Sequence, residues 1–132
     1  MKLNERRKNI LEKIKVFLEK KEEIIFAYVF GSFITEEKYN DIDVAVYIKN
    51  EKIDQIDYSI SLSIEMEKEI KQPLDIKVIN GLPLPLKYHI TKGILLFTKD
   101  EILHENFICD VWKKYIDFKY FSDIYIKELK NA

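Results

Sequence analysis

The sequence predicts an α+β fold: a small mixed β-sheet packed with helices, with a long helix at the C-terminus. Three observations carry this. Short β-rich apolar runs alternate with stretches of helical period. The first two such runs, 24–30 and 41–48, are separated by too few residues for a crossover helix, so they should pair antiparallel. Only three Gly and three Pro punctuate 132 residues, which implies short connections. That length suits one domain with one core, so 1–132 is read as a single domain.

Each element has its own signal. Residues 4–21 set Ile10, Leu11, Ile14, Phe17 and Leu18 on one helical stripe. Residues 24–30, IIFAYVF, are apolar throughout and end at a Gly, as a strand buried on both faces does. Residues 41–48, DIDVAVYI, alternate. Ile42, Val44, Val46 and Ile48 take one face, and Asp41, Asp43, Ala45 and Tyr47 the other. Residues 52–71 also alternate in part, but their length and Glu/Lys-rich end favour a helix, with Ile53, Ile56, Ile60 and Ile64 as its stripe and Leu62 and Met66 off it. PLDIKVIN (73–80) is a strand with Leu74, Ile76 and Val78 on one face. LPLPLKYHITKG suits a short helix with Pro in its first turn and Gly93 at its end. ILLFT (94–98) is a short strand. Residues 100–129 form a long helix whose aromatic stripe reads as core and whose Cys109 reads as buried packing.

Composition excludes several classes. Apolar residues make up 47% and charged residues 34%, the balance of a soluble globular chain. Net charge is −1, so no direct nucleic-acid binding is expected. Only Arg6 and Arg7 are Arg, against 20 Lys. Phosphate contacts away from the N-terminus must therefore come from Lys, backbone N–H groups or hydroxyls. A single Cys excludes an intrachain disulfide and a multi-Cys zinc site and suits a cytoplasmic location. No apolar run reaches membrane-spanning length, and MKLNERRKNI is too polar for a signal peptide, so no membrane association is expected.

The stretch FGSFITEEKYNDIDVAVYI (30–48) carries the chemistry. Asp41 and Asp43 share a strand face, roughly 6–7 Å apart. Ionised carboxylates this close repel and resist burial. A divalent cation such as Mg²⁺, which takes carboxylate oxygen, water and substrate phosphate, relieves both problems. Asp75 interrupts another apolar strand. If that strand lies beside 41–48, Asp75 projects from the same face and completes a metal-assisted phosphoryl-transfer site, with Asp75 as base. Gly31-Ser32 ends a buried strand, where backbone N–H groups and a hydroxyl can meet a phosphate. Taken singly, Asp41 reads equally as a turn residue and Asp75 as a strand-edge charge. The combination, in this order on these elements, favours the site. Lys77 is a charge partner for Asp75 or a phosphate contact. His89 and His104 have no metal-ligand spacing and read as surface or packing residues.

FGSFITEEKYNDIDVAV followed by LDIKVIN resembles the DNA polymerase β-like nucleotidyltransferases, whose mark is Gly-Ser, a spacer, Asp-x-Asp and a later strand Asp. The small size, the stretch HITKGILLFTKDE and the aromatic final helix are similar to the minimal members, in particular MntA-type antitoxins that partner a HEPN-type toxin. The resemblance implies a polymerase β palm-like fold and a single nucleotidyltransferase domain. It also implies transfer of AMP from ATP, with Mg²⁺, to a tyrosine of the toxin. In that reading Gly31 and Ser32 hold the triphosphate, Asp41 and Asp43 ligate metal, and Asp75 completes the metal site and activates the acceptor. The spacer FITEEKYN departs from the family pattern. It has eight residues, Thr35 where Arg is common, no Gly, and Glu36 and Glu37 near the expected phosphates. This keeps open an antitoxin that acts by binding alone. A small-molecule nucleotidyltransferase is a third reading, although the chain leaves little room for an acceptor domain.

Overall fold

Strand β1 (Ile24–Phe30) is buried along its whole length, as an uninterrupted apolar run requires when both of its faces are covered. The computed structural model describes residues 3–131 and places β1 inside a four-stranded sheet of order β3-β2-β1-β4. Strand β2 (Ile42–Ile48) runs antiparallel to β1, as the short connection demands. Strand β3 (Leu74–Val78) runs parallel to β2 and forms one edge. Strand β4 (Ile94–Thr98) lies antiparallel to β1 at the other edge. The sheet is therefore mixed, as expected.

Helices cover both faces. Helix α1 (Glu5–Glu19) is capped by Asn4, whose side chain accepts from the Arg7 amide at 2.9 Å. It buries Ile10, Leu11, Ile14 and Leu18 against the face made by Val29, Val44, Val46 and Ile76. Helix α2 (Ser32–Thr35) is a single turn between β1 and β2. Helix α3 (Gln55–Ile70) begins at the Asp54 cap and crosses over to bring β3 beside β2. After β3, a 3₁₀ turn (Ile79–Gly81) leads to helix α4 (Leu84–Thr91). Helix α5 (Glu101–Asn131) follows β4. On the second face Phe26, Tyr28, Phe30 and Ala45 pack with Ile79 and Ile90, and Leu86, Leu103 and Phe107 close over them.

Two packing expectations are overturned. The buried stripe of α3 is Leu62, Met66 and Ile70, whereas Ile56, Ile60 and Ile64 face solvent. The helix is apolar on two sides, so periodicity alone could not choose between them. In α5 only His104 and Val111 are buried. Phe118, Tyr120, Phe121 and Tyr125 are exposed, and so is Cys109. The physical reason is length. A 31-residue helix is about 46 Å long at 1.5 Å per residue, longer than this sheet can cover. Its contact with α4 is aromatic: Tyr115 stacks on Tyr88 at 3.8 Å, and Trp112 donates to Thr91 Oγ1 at 2.9 Å.

Candidate active site

The site forms where β1 ends and β2 begins. Gly31 has φ +80°, a conformation that side-chain-bearing residues rarely adopt. A Cβ at this position would also collide with the Asp43 carboxylate. Both facts explain why the chain spends one of its three glycines here. The Gly31 carbonyl then accepts from the amides of Ile34 at 3.1 Å and Thr35 at 3.2 Å, which winds α2. The first amides of such a turn have no acceptor within it, so they are available to an anion beside Ser32.

The carboxylates come from neighbouring strands. Asp43 is opposite Phe30 on β1 and opposite Asp75 on β3, in register. Parallel pairing in register sends both side chains to the same face, the one that also carries Ala45 and Lys77. Asp43 and Asp75 are half-buried, and Asp41, one step before β2, is exposed at the mouth. Lys77 Nζ reaches Asp75 Oδ2 at 3.2 Å, so it stands as a charge partner here. Burial, followed by the facing Asp75 charge and more weakly by Asp41, pushes Asp43 above the usual carboxylate range, while Lys77 pulls it down.

This negative charge is what a bound cation would relieve. Among the described residues no three His, Cys, Asp or Glu side chains stand together closely enough to hold a metal by themselves. Mg²⁺ does not require that. It takes one or two carboxylates and fills its octahedron with water and substrate phosphate. The donor set of Asp43 and Asp75, with Asp41 at the mouth, fits such an ion. Asp75 also lines a cavity of about 560 Å³, together with Gln55, Ile56, Ser59, Lys77, Leu82 and Leu86.

The histidines are packing residues. His104 is buried with its Nε2 at 2.6 Å from the Tyr28 hydroxyl, and His89 meets the Phe30 ring edge-on at 5.9 Å. A residue that the motif reading missed is Arg7. It lies under the spacer and donates to the carbonyls of Phe33, Glu36 and Glu37. The clue was compositional. A chain with 20 Lys that keeps two Arg side by side uses them where a planar, multidentate cation is needed.

The profile of the family described as polymerase beta, nucleotidyltransferase matches residues 12–102, well over half of the chain. The protein belongs to that nucleotidyltransferase family. A comparison with curated protein sequences returns no match. Solved structures share the fold. One is a mutant of the toxin–antitoxin MntA–HpeT, at TM-score 0.71 and 19% identity, with 96% of this chain and 98% of that chain covered. A second is a tri-AMPylated Shewanella oneidensis HEPN toxin in complex with MNT antitoxin, at TM-score 0.70 and 19% identity, covering 93% and 98%. A third is a toxin–antitoxin with AMP-PNP, at TM-score 0.69 and 20% identity, covering 96% and 98%. At this identity the likeness establishes the shared nucleotidyltransferase fold. The match extends into α5, nearly all of which lies beyond the family profile.

Proposed function

We propose that this nucleotidyltransferase is an antitoxin that transfers AMP from ATP to a tyrosine hydroxyl of a HEPN-type toxin, with Mg²⁺. The observation that carries the reading is the in-register pairing of Asp43 and Asp75 beside the Gly31-Ser32 turn. The likeness to a complex of an AMPylated HEPN toxin supports the acceptor class, and the likeness to a toxin–antitoxin with AMP-PNP supports the nucleotide.

The residues divide the work. Gly31 and Ser32 receive the triphosphate through backbone N–H groups and the Ser32 hydroxyl. Asp41, Asp43 and Asp75 would hold Mg²⁺, which when bound polarises the α-phosphate and offsets the charge of the leaving pyrophosphate. Asp75 accepts the proton of the tyrosine hydroxyl. The phenolate oxygen then bonds to the α-phosphorus as the bond to the bridging α–β oxygen breaks, releasing pyrophosphate. Lys77 is poised to leave Asp75 for a phosphate oxygen. The cavity beside Asp75 has room for an aromatic acceptor.

A second reading, neutralisation by binding alone, is favoured by one observation: the spacer FITEEKYN has no Arg or Gly and sets Glu36 and Glu37 near the expected phosphates. One experiment separates the two. The protein is incubated with labelled ATP, Mg²⁺ and the product of the neighbouring gene, beside an Asp43→Ala variant. The catalytic reading expects label on the partner with wild type and none with the variant. An intact complex with no transfer under any condition leaves only the binding reading.

A further inference from the structure

Arg7 is only 4% exposed and is the one charged residue that α1 buries. Among the described residues no carboxylate pairs with it. A guanidinium removed from water without a counter-ion is costly unless its donors are satisfied. Here they are. One nitrogen donates to Phe33 O at 2.7 Å and Glu36 O at 2.6 Å, and the other to Glu37 O. The flat cation also lies over two rings, 5.4 Å from the centroid of Phe33 and 5.0 Å from that of Tyr39. Tyr39 is itself tied by Arg6 at 3.1 Å and by Gln72 at 3.2 Å. Every one of the Arg7 carbonyl partners lies in the segment between Gly31-Ser32 and Asp41. That segment has no Arg or Gly of its own and buries only Phe33.

We propose that Arg7 is a positioning residue for the nucleotide site, supplying from α1 the rigidity that the spacer lacks. The proposal rests on the nucleotidyltransferase reading above. Strands β1 and β2 fix the two ends of the spacer. Arg7 fixes its middle, and with it the direction of the amides that follow Gly31. Donors held in one direction bind a triphosphate better than donors that sample many. The carboxylates sit on strands and do not depend on this grip. Loss of Arg7 therefore weakens nucleotide binding in ground state and transition state alike, which raises KM and spares kcat. Lys cannot substitute, because a single ammonium does not present a planar fork to carbonyls on two sides.

The test uses the full chain with Arg7→Lys and Arg7→Met, and with Tyr39→Leu as a milder variant that removes one ring from the cation and leaves the guanidinium. Three quantities are read: the thermal midpoint, KM for ATP and kcat in transfer to the partner, and Mn²⁺ affinity without nucleotide. The expected result for folded Arg7 variants is KM for ATP raised about tenfold or more, kcat within about threefold, and Mn²⁺ affinity unchanged. Tyr39→Leu should move KM in the same direction by less, and decides the matter if neither Arg7 variant folds. An unchanged KM overturns the proposal. So does parallel loss of KM, kcat and Mn²⁺ affinity, which is the mark of general loosening. Wild type that binds no ATP overturns the nucleotide reading and the proposal together. Wild type that binds ATP, beside variants that bind it equally well, overturns the proposal alone.

Discussion

The Asp43 carboxylate occupies the space where a side chain at Gly31 would begin. The turn proposed to hold the phosphates and the central metal-binding candidate are thus one packing unit. Their separation in sequence hides this. Gly31→Ala should be strained by φ +80° and should turn the Asp43 carboxylate aside. The expected loss is about 2 kcal/mol or more, together with loss of ATP binding. Chemical denaturation and ATP titration check it, and an Ala variant of wild-type stability would show that the turn relaxes freely.

Asp43 itself should trade stability for function. Its pKa is raised by burial and by Asp75. The folded state therefore holds the proton more tightly than the unfolded state, and stability falls as pH rises from the ordinary carboxylate value through the raised one. Asp43→Asn escapes that loss. It should melt higher than wild type at neutral pH in the absence of metal, and should not transfer AMP. Added Mg²⁺ with ATP should raise the midpoint of wild type and leave that of the variant unmoved. A variant that melts lower than wild type without metal would contradict this account.

His104 works in the opposite direction. Burial lowers its pKa below the ordinary 6.5, with Glu105 opposing. The folded state favours the neutral ring beside the Tyr28 hydroxyl, so stability is fully present above 6.5 and is lost as pH falls through that value towards the lowered one. His104→Gln should flatten this slope. The measurement is the difference in thermal midpoint between pH 7.5 and 5.5 for both proteins, since other groups contribute equally to each. Equal slopes would show that His104 keeps its neutral form without linkage to folding.

Cys109 is exposed on α5, contrary to what its apolar surroundings in sequence suggest. It should react fully with a thiol reagent in the native protein, without denaturant. Reaction that waits for unfolding would mean that α5 is covered in solution.

How legible was all this in the sequence? Strand alternation set Asp41 and Asp43 on one face of their strand, because a period of two leaves a side chain only two directions, and Asp75 could join them only if its strand lay alongside. The register between Asp43 and Asp75 was not readable, since it depends on where α3 returns the chain. Arg7 was invisible to motif reading because its partners are backbone carbonyls, which carry no residue identity. The exposure of α5 was hidden because periodicity reports an apolar stripe and not what covers it. The Gly31 constraint was half-legible. Glycine announced an unusual backbone, but the carboxylate above it belongs to the next strand.

Helix α3 turns the remaining ambiguity into a measurement. Its sequence offers two apolar stripes, Ile56, Ile60 and Ile64 against Leu62, Met66 and Ile70. The structure buries the second: Met66 is 0% exposed and Ile60 is 54% exposed. Met66→Ala leaves a void beneath the sheet and should lose about 2–4 kcal/mol. Ile60→Ala removes little that water does not already reach and should change stability by no more than about 0.5 kcal/mol. Urea denaturation of the two single variants decides it. If the Ile60 loss were the larger, α3 would be rotated about its axis. The cavity beside Asp75, lined by Ile56 and Ser59 of the same helix, would then be shaped differently.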